Sequence, residues 1–125
     1  LHGAFGFPRD RRLLRPAEFQ RIFKGADWRV SGAVFTLLAV ANTLDHPRLG
    51  VALSKRQVRR AVGRNRIRRQ LRESFRLHQH RLGGVDIVVL GRAGIDRIPV
   101  QELRAAIDRS WEELAERCKK SLSCS

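Results

Sequence analysis

Arginine supplies most of the chemically capable side chains in this sequence, and it does so in one place. The run AVGRNRIRRQLRESF, Ala61 to Phe75, sets Arg64, Arg66, Arg68, Arg69 and Arg72 around Asn65. A guanidinium offers a rigid fork of N–H donors that fits phosphate oxygens in pairs, and it stays charged near neutral pH. The chemistry this supports is the capture of a polyanion, without bond making. Between Lys55 and Arg81, eleven Lys or Arg residues face a single acid, Glu73, a net +10. The rest of the chain contributes only +4 to the total of +14. The charge is therefore a localised patch, the footprint of a nucleic-acid-binding surface.

Other reactive residue types form no constellation. His78 and His80 stand two apart, so on a helix they point away from each other and cannot share a metal. His46 precedes Pro47 in a turn, and His2 lies at the chain end. Cys118 and Cys124 both fall in the terminal RCKKSLSCS. A bridge between them would close a trivial loop, and zinc wants about four ligands. There is no glycine-rich phosphate loop before a helix, no nucleophile elbow, and no clustered carboxylates fit for two metal ions. No catalytic residue and no metal ligand is assigned from these residues.

The patch must be carried by a folded element. At about 100° per residue, Ile67, Leu71, Phe75 and His78 fall on one side of a helix, and Asn65, Arg69, Arg72 and Arg76 on the other. Arg66 and Arg68 flank that second stripe. Val58, Ala61 and Val62 do not continue the apolar stripe, which predicts a break or turn near Gly63. Arg64-Asn65-Arg66 would then sit at or near the first helical turn, where free N–H groups also favour phosphate. Like charges at this spacing repel, and only Glu73 relieves them, so the face is best stabilised by a bound polyanion.

Around it, LLRPAEFQRIFKG reads as a short helix, with Pro16 where a first turn tolerates it and Gly25 at the stop. Phe19 and Phe23, four apart on one face, suit either a core or a groove that stacks on unpaired bases. Val30 to Thr43 and His46 to Lys55 read as two adjacent strands, and Val85 to Arg92 as a buried strand after Gly83-Gly84. Pro99 to Cys118 spaces Leu103, Ile107, Trp111, Leu114 and Cys118 as a final amphipathic helix. Its Glu112, Glu113 and Glu116 alternate with Arg109 and Arg117 as a solvated, salt-bridged face. The order gives a single-domain α+β sandwich with one central sheet, residues 1–118, followed by a polar tail, 119–125, expected to be disordered.

Length and composition agree with this. A chain of 125 residues, 42% apolar, supports one core. The longest uncharged run, Val30 to Leu44, is fifteen residues and contains polar ones; a membrane span wants about 20 mostly apolar residues. The start, LHGAFGFPRDRR, does not read as a signal peptide, and a cytoplasmic location with no membrane partner is the expectation.

The run RNRIRRQLRESFR, Arg64 to Arg76, is very similar to the signature of the bacterial ribonuclease P protein component. The resemblance covers nearly the whole chain. FPRDRRLLRPAEFQRIF (Phe7 to Phe23) resembles that family's amino-terminal helix, HPRLGVALSKR (His46 to Arg56) its strand and basic loop, and VDIVVLGRAG (Val85 to Gly94) its last strand.

The resemblance implies an α-β-β-(β)-α-β-α order with a left-handed β-α-β crossover. It also implies a protein cofactor of a catalytic RNA that, with Mg2+, removes the 5′ leader of precursor transfer RNA. Its partners would be the ribonuclease P RNA and the single-stranded leader. The catalytic side chain would be none of this chain's, and Mg2+ would be bound mainly by the RNA subunit and substrate. By position, Arg64, Asn65, Arg66 and Arg69 match the contacts to the RNA subunit. Phe19 and Phe23 match the aromatics of the leader cleft, with Arg68 and Arg72 at its edge. Ser54, Lys55 and Arg56 match the basic loop. Many relatives have Lys at the position of Arg68, which alters the donor fork. Some place a Tyr on the first long strand facing the cleft; this chain has no Tyr, and Phe35 or Leu37 lies near that place.

Three other readings make different predictions. A ribosomal-type protein would bind RNA without affecting processing. A self-sufficient nuclease would cleave without an RNA subunit. A DNA reader would need a base-reading cluster or a dimer element.

Overall fold

The computed structural model describes Arg12 and residues 15–123. Helix α1 (Pro16–Gly25) precedes three strands, β1 (Trp28–Ser31), β2 (Phe35–Ala41) and β3 (Arg48–Ala52). Helix α2 (Ala61–His78), a 3₁₀ turn over Gln79–Arg81, strand β4 (Val85–Gly91) and helix α3 (Val100–Ser123) follow. The α-β-β-β-α-β-α order is the expected one, with the optional strand present. Pro16 opens α1 where a missing N–H costs nothing, and the Glu18 carboxylate accepts the Arg15 N–H at 3.0 Å.

The sheet order is β1-β2-β4-β3. Pairs β1/β2 and β2/β4 are antiparallel, and β3/β4 is parallel. The expected adjacency of the Val30–Thr43 and His46–Lys55 runs is therefore corrected: β4 lies between β2 and β3. Parallel strands need a long crossover, which α2 supplies, so β3 and β4 can pair across it. Strand β4 is buried from Val85 through Val89, a pattern that requires an interior place with both faces covered. The run from Val30 to Thr43 does not form one strand either. It turns back at Gly32, whose N–H donates to Phe35 O at 2.8 Å, so that β1 and β2 make a hairpin.

Each sheet face has its own core. On one face Phe35, Leu37, Ala39, Leu49, Ile87 and Val89 pack with Ile67, Leu71 and Phe75 of α2 and with Leu103, Ile107, Trp111 and Leu114 of α3. Phe75 and Trp111 meet edge to face, with centroids 5.6 Å apart. Trp111 Nε1 donates to Ser74 Oγ at 2.8 Å, and Ser74 in turn donates to Asp108, tying α2 to α3. On the other face Ile22 of α1 packs with Leu38, Val40 and Val88.

Two further expectations change. Helix α2 has no break at Gly63; it starts at Ala61 and runs through. Glycine is needed there because a Cβ would come within 2.9 Å of Val58 Cγ1, so the residue marks a close approach instead of a turn. The tail is helical as far as Ser123, because α3 continues past Cys118. Cys118 is half-buried against the core, and burial raises its thiol pKa above the ordinary value. Cys124 and Ser125 lie outside the described residues, as do His2 and most of the segment from Phe7 to Leu14.

Candidate nucleic-acid interface

Helix α2 buries Ile67, Leu71, Ser74 and Phe75 and turns Asn65, Arg66, Arg69 and Arg72 outward, so the two-faced reading of its sequence holds. His78 is partly covered, its Nδ1 2.8 Å from Ser74 O. The first turn contains no acid, although the positive end of the helix dipole favours one. That end instead meets Arg59, Arg60, Arg64 and Arg66. Arg64 N already donates to Arg60 O at 3.1 Å, so the uncommitted N–H groups of this terminus belong to residues before Arg64.

The arginines divide into distinct sites. Asn65, Arg68, Arg69 and Arg72 line one groove of about 420 Å³ together with Arg12, Glu73 and Arg76. Arg12 reaches it because its backbone bridges to Leu49 in parallel, beside β3. Partial burial, and then the like charges of Arg12 and Arg68, push the Arg72 pKa below the ordinary arginine value. The like charges of Arg12 and Arg68 add to the cost of burial there, and an anion in the groove would relieve both. Glu73 is held by Arg76: the hydrogen bond first, and the charge as well, lower the carboxyl pKa.

Arg66 faces another groove, with Val58, Arg59, Arg60, Val62, Gly63 and Asp96. Arg64 turns back on its own chain, donating through Nη1 to Val58 O at 2.8 Å and to Arg59 O at 3.0 Å. Thus Arg64, Asn65, Arg66 and Arg69, grouped by resemblance, open onto different grooves: Arg66 stands only three residues before Arg69 on the helix but lines the second groove, and Arg64 braces the loop that leads into α2.

The loop of Ser54, Lys55 and Arg56 is ordered around Ser54. Its hydroxyl donates to Gln57 Oε1 at 2.8 Å, and its carbonyl accepts from Val58 N at 3.0 Å. Lys55 and Arg56 are exposed.

The phenylalanines lie on the α1 side of the sheet. Phe19 is partly buried against the Ile22, Leu38, Val40 and Val88 cluster, on which Ala52 and Leu90 also pack. Phe23 is 42% exposed, and the rings are 6.4 Å apart at a 44° tilt. They are a half-open aromatic pair, not core. Arg68 and Arg72 belong to α2, whose apolar side packs on the opposite sheet face, and they line the groove that Arg12 enters from beside β3. The same alternation settles the strand position: Phe35 and Leu37 point into the α2–α3 core, while Leu38 faces α1.

A network missing from the sequence analysis holds α1 in place. Asp86 is fully buried on β4 and faces Arg48 of β3 in the parallel register. Arg48 Nε donates to Asp86 Oδ1 at 2.8 Å and Nη2 to Oδ2 at 2.6 Å. Asn42 Nδ2 donates to Oδ1 at 2.9 Å, and Arg21 of α1 also pairs with this carboxylate. Arg48 Nη1 reaches Glu18 of α1 at 2.9 Å. Desolvation alone would raise the Asp86 pKa, but the bonds from Arg48 and Asn42 and the charges of Arg48 and Arg21 outweigh it and leave the pKa lowered. The signal was available: one acid inside the apolar strand VDIVVLG demands buried partners.

Among the described residues no group of three or more His, Cys, Asp or Glu is placed to hold a metal ion. No helix among them is long and apolar enough to cross a membrane.

Comparison with known proteins gives a consistent result. A family model described as Ribonuclease P matches residues 7–115. The ribonuclease P protein component of Methylococcus capsulatus is 47% identical over 119 residues, covering 95% of this chain and 92% of that protein. The component from Pseudoalteromonas atlantica is 46% identical, covering 95% and 98%. Among solved structures, the Staphylococcus aureus RNase P protein matches with a TM-score of 0.74 at 31% identity, covering 79% of this chain and 90% of that one. The Thermotoga maritima RNase P protein matches with a TM-score of 0.67 at 28% identity, covering 78% and 96%. A basic helix presented across a parallel β3–β4 crossover, and a match in sequence along almost its whole length, place this chain in the ribonuclease P protein component family.

Proposed function

We propose that the chain binds the catalytic RNA subunit of ribonuclease P through α2 and the 5′ leader of precursor transfer RNA through the α1 face. In doing so it promotes Mg2+-dependent removal of the leader. The observation that carries this reading is the groove of Asn65, Arg68, Arg69, Arg72 and Arg12, in a member of a family named for an endoribonuclease. Its crowded guanidinium groups make it a receptor for RNA phosphates.

In this reading the arginine groove and the neighbouring Arg66 site take backbone phosphates of the RNA subunit. The exposed Lys55 and Arg56 add long-range attraction. Phe19 and Phe23 offer flat apolar faces to unpaired bases, which fits a single strand of no fixed sequence. The protein binds, orients and neutralises; bond cleavage belongs to the RNA subunit, which with the substrate holds the Mg2+. The location in this reading is cytoplasmic.

The test is 5′ cleavage of a precursor transfer RNA at low Mg2+, comparing a bacterial ribonuclease P RNA alone, this protein alone, and both. Cleavage only, or much faster, in the mixture supports the cofactor role. Binding without any effect on cleavage would replace it with a structural RNA-binding role, and cleavage by the protein alone with a self-sufficient nuclease.

A further inference from the structure

Helix α1 is ten residues long, and Ile22 is its only fully buried side chain. A helix of this length has little stability of its own. One apolar anchor fixes its position on the sheet but leaves it free to roll. At about 100° per residue, Glu18 and Arg21 lie on one flank of Ile22 and Phe19 and Phe23 on the other. The first flank is tied down through Arg48 to Glu18 and through Asp86 to Arg21. Both tethers end in the row Val40–Asp86–Arg48 across β2, β4 and β3.

We propose that Asp86 and Arg48 are positioning residues for leader binding: by holding Arg21 and Glu18 they set the roll of α1, and so the height and angle of Phe19 and Phe23 on the α1 face of the sheet. This rests on the reading of the α1 face as the leader site. Asp86 itself offers no surface to RNA. Asp86 is buried beneath the helix, and its acceptors are met by Arg48, Asn42 and Arg21. Its effect is to pre-order the aromatic pair, so that binding does not have to immobilise it.

Glu18 provides the discriminating test, because direct electrostatics and positioning predict opposite signs. Glu18→Gln removes a negative charge near an RNA site, which by charge alone would strengthen leader binding. Through loss of the Arg48 tether it should instead weaken it. The measurement is the affinity of the reconstituted holoenzyme for precursor transfer RNA with a leader of several nucleotides and for the same RNA without one. Thermal unfolding checks that each variant is folded.

Glu18→Gln should reduce the leader-dependent gain in affinity about threefold, in keeping with one partly exposed ion pair. Glu18→Gln with Arg21→Gln should reduce it about tenfold, since charge-assisted contacts are lost on both tethers. Arg21→Lys, alone in the parent, should retain most of the gain. Affinity for the leaderless RNA and for the RNA subunit should be unchanged. Phe23→Ala runs in parallel. If it leaves the leader-dependent gain intact, the leader-site reading fails and the inference falls with it. If Phe23→Ala abolishes the gain but Glu18→Gln preserves or increases it, the leader site stands and the positioning role is overturned. Equal losses with both RNAs would overturn it in favour of a general structural role.

Discussion

Arg48 and Asp86 stand opposite each other on the parallel strands β3 and β4 and form a two-point ion pair, Nε to Oδ1 and Nη2 to Oδ2, at 2.8 and 2.6 Å. Neither strand alone would tolerate its charge here. The crossover through α2 brings them together, and α1 closes over them.

Removing the Asp86 carboxylate leaves the partly buried Arg48 with Glu18 as its remaining carboxylate partner and takes the acceptor from Arg21. Asp86→Ala should cost about 3–5 kcal/mol of stability, the range for breaking a buried ion pair. The urea midpoint of the unfolding transition measures it. The pH dependence follows from the lowered carboxyl pKa. Asp86 contributes fully above the ordinary carboxylate value of about 3.9, and the contribution is lost as pH falls through the lower folded value. Stability of the parent should therefore fall in this acid window, and Asp86→Asn should flatten the fall.

The two arginine grooves predict separate phosphate contacts. Arg66→Ala and Arg69→Ala should each weaken binding to the RNA subunit and lower the salt slope by about one unit or less. The double variant should lose more affinity than either single one, with coupling between the two because they stand three residues apart on α2. A binding titration over several salt concentrations reads both. A salt slope unchanged by Arg66→Ala would remove that residue from the phosphate contacts.

Phe23 separates stability from leader binding. Because it is 42% exposed, Phe23→Ala should change unfolding free energy by no more than about 0.5 kcal/mol. Loss of one stacked base should weaken leader binding by about 1–3 kcal/mol. Phe19→Ala should weaken leader binding too but also lower stability, as Phe19 packs on the Ile22 cluster.

Ser74 offers a contrast on the buried face of α2, turned away from the arginine groove. Its hydroxyl accepts the Trp111 indole N–H and donates to Asp108. Ser74→Ala leaves that indole N–H unmatched and should cost about 1–3 kcal/mol. Affinity for the RNA subunit, measured well below the melting temperature, should not change.

Backbone crowding gives a last test. A Cβ on Gly84 would stand 2.2 Å from Leu44 O and 2.7 Å from Asn42 Oδ1. Gly84→Ala should destabilise by about 1–3 kcal/mol. It should also disturb Asn42, and hence its bond to Asp86, which amide exchange at the β2 end and the loop after it would report.

What the sequence by itself determined is local. The basic patch, the two faces of α2, the apolar stripe of α3 and the start and stop of α1 were legible because helical periodicity and charge density are properties of neighbouring residues. The RNR run and its downstream arginines also carried the family resemblance. Tertiary structure decided the strand order, because pairing β4 between β2 and β3 depends on residues far apart in the chain. It decided which side of β2 meets α1, since Phe35 through Val40 are all buried and an alternating pattern is invisible when both faces are covered. It gave Arg66 a different groove from Asn65 and Arg69, and brought Arg12 to theirs from beside β3. Asp86 shows the division most plainly: its sequence position announced a buried charge, but its partners on β3, on α1 and in the loop after β2 exist only once the sheet has formed.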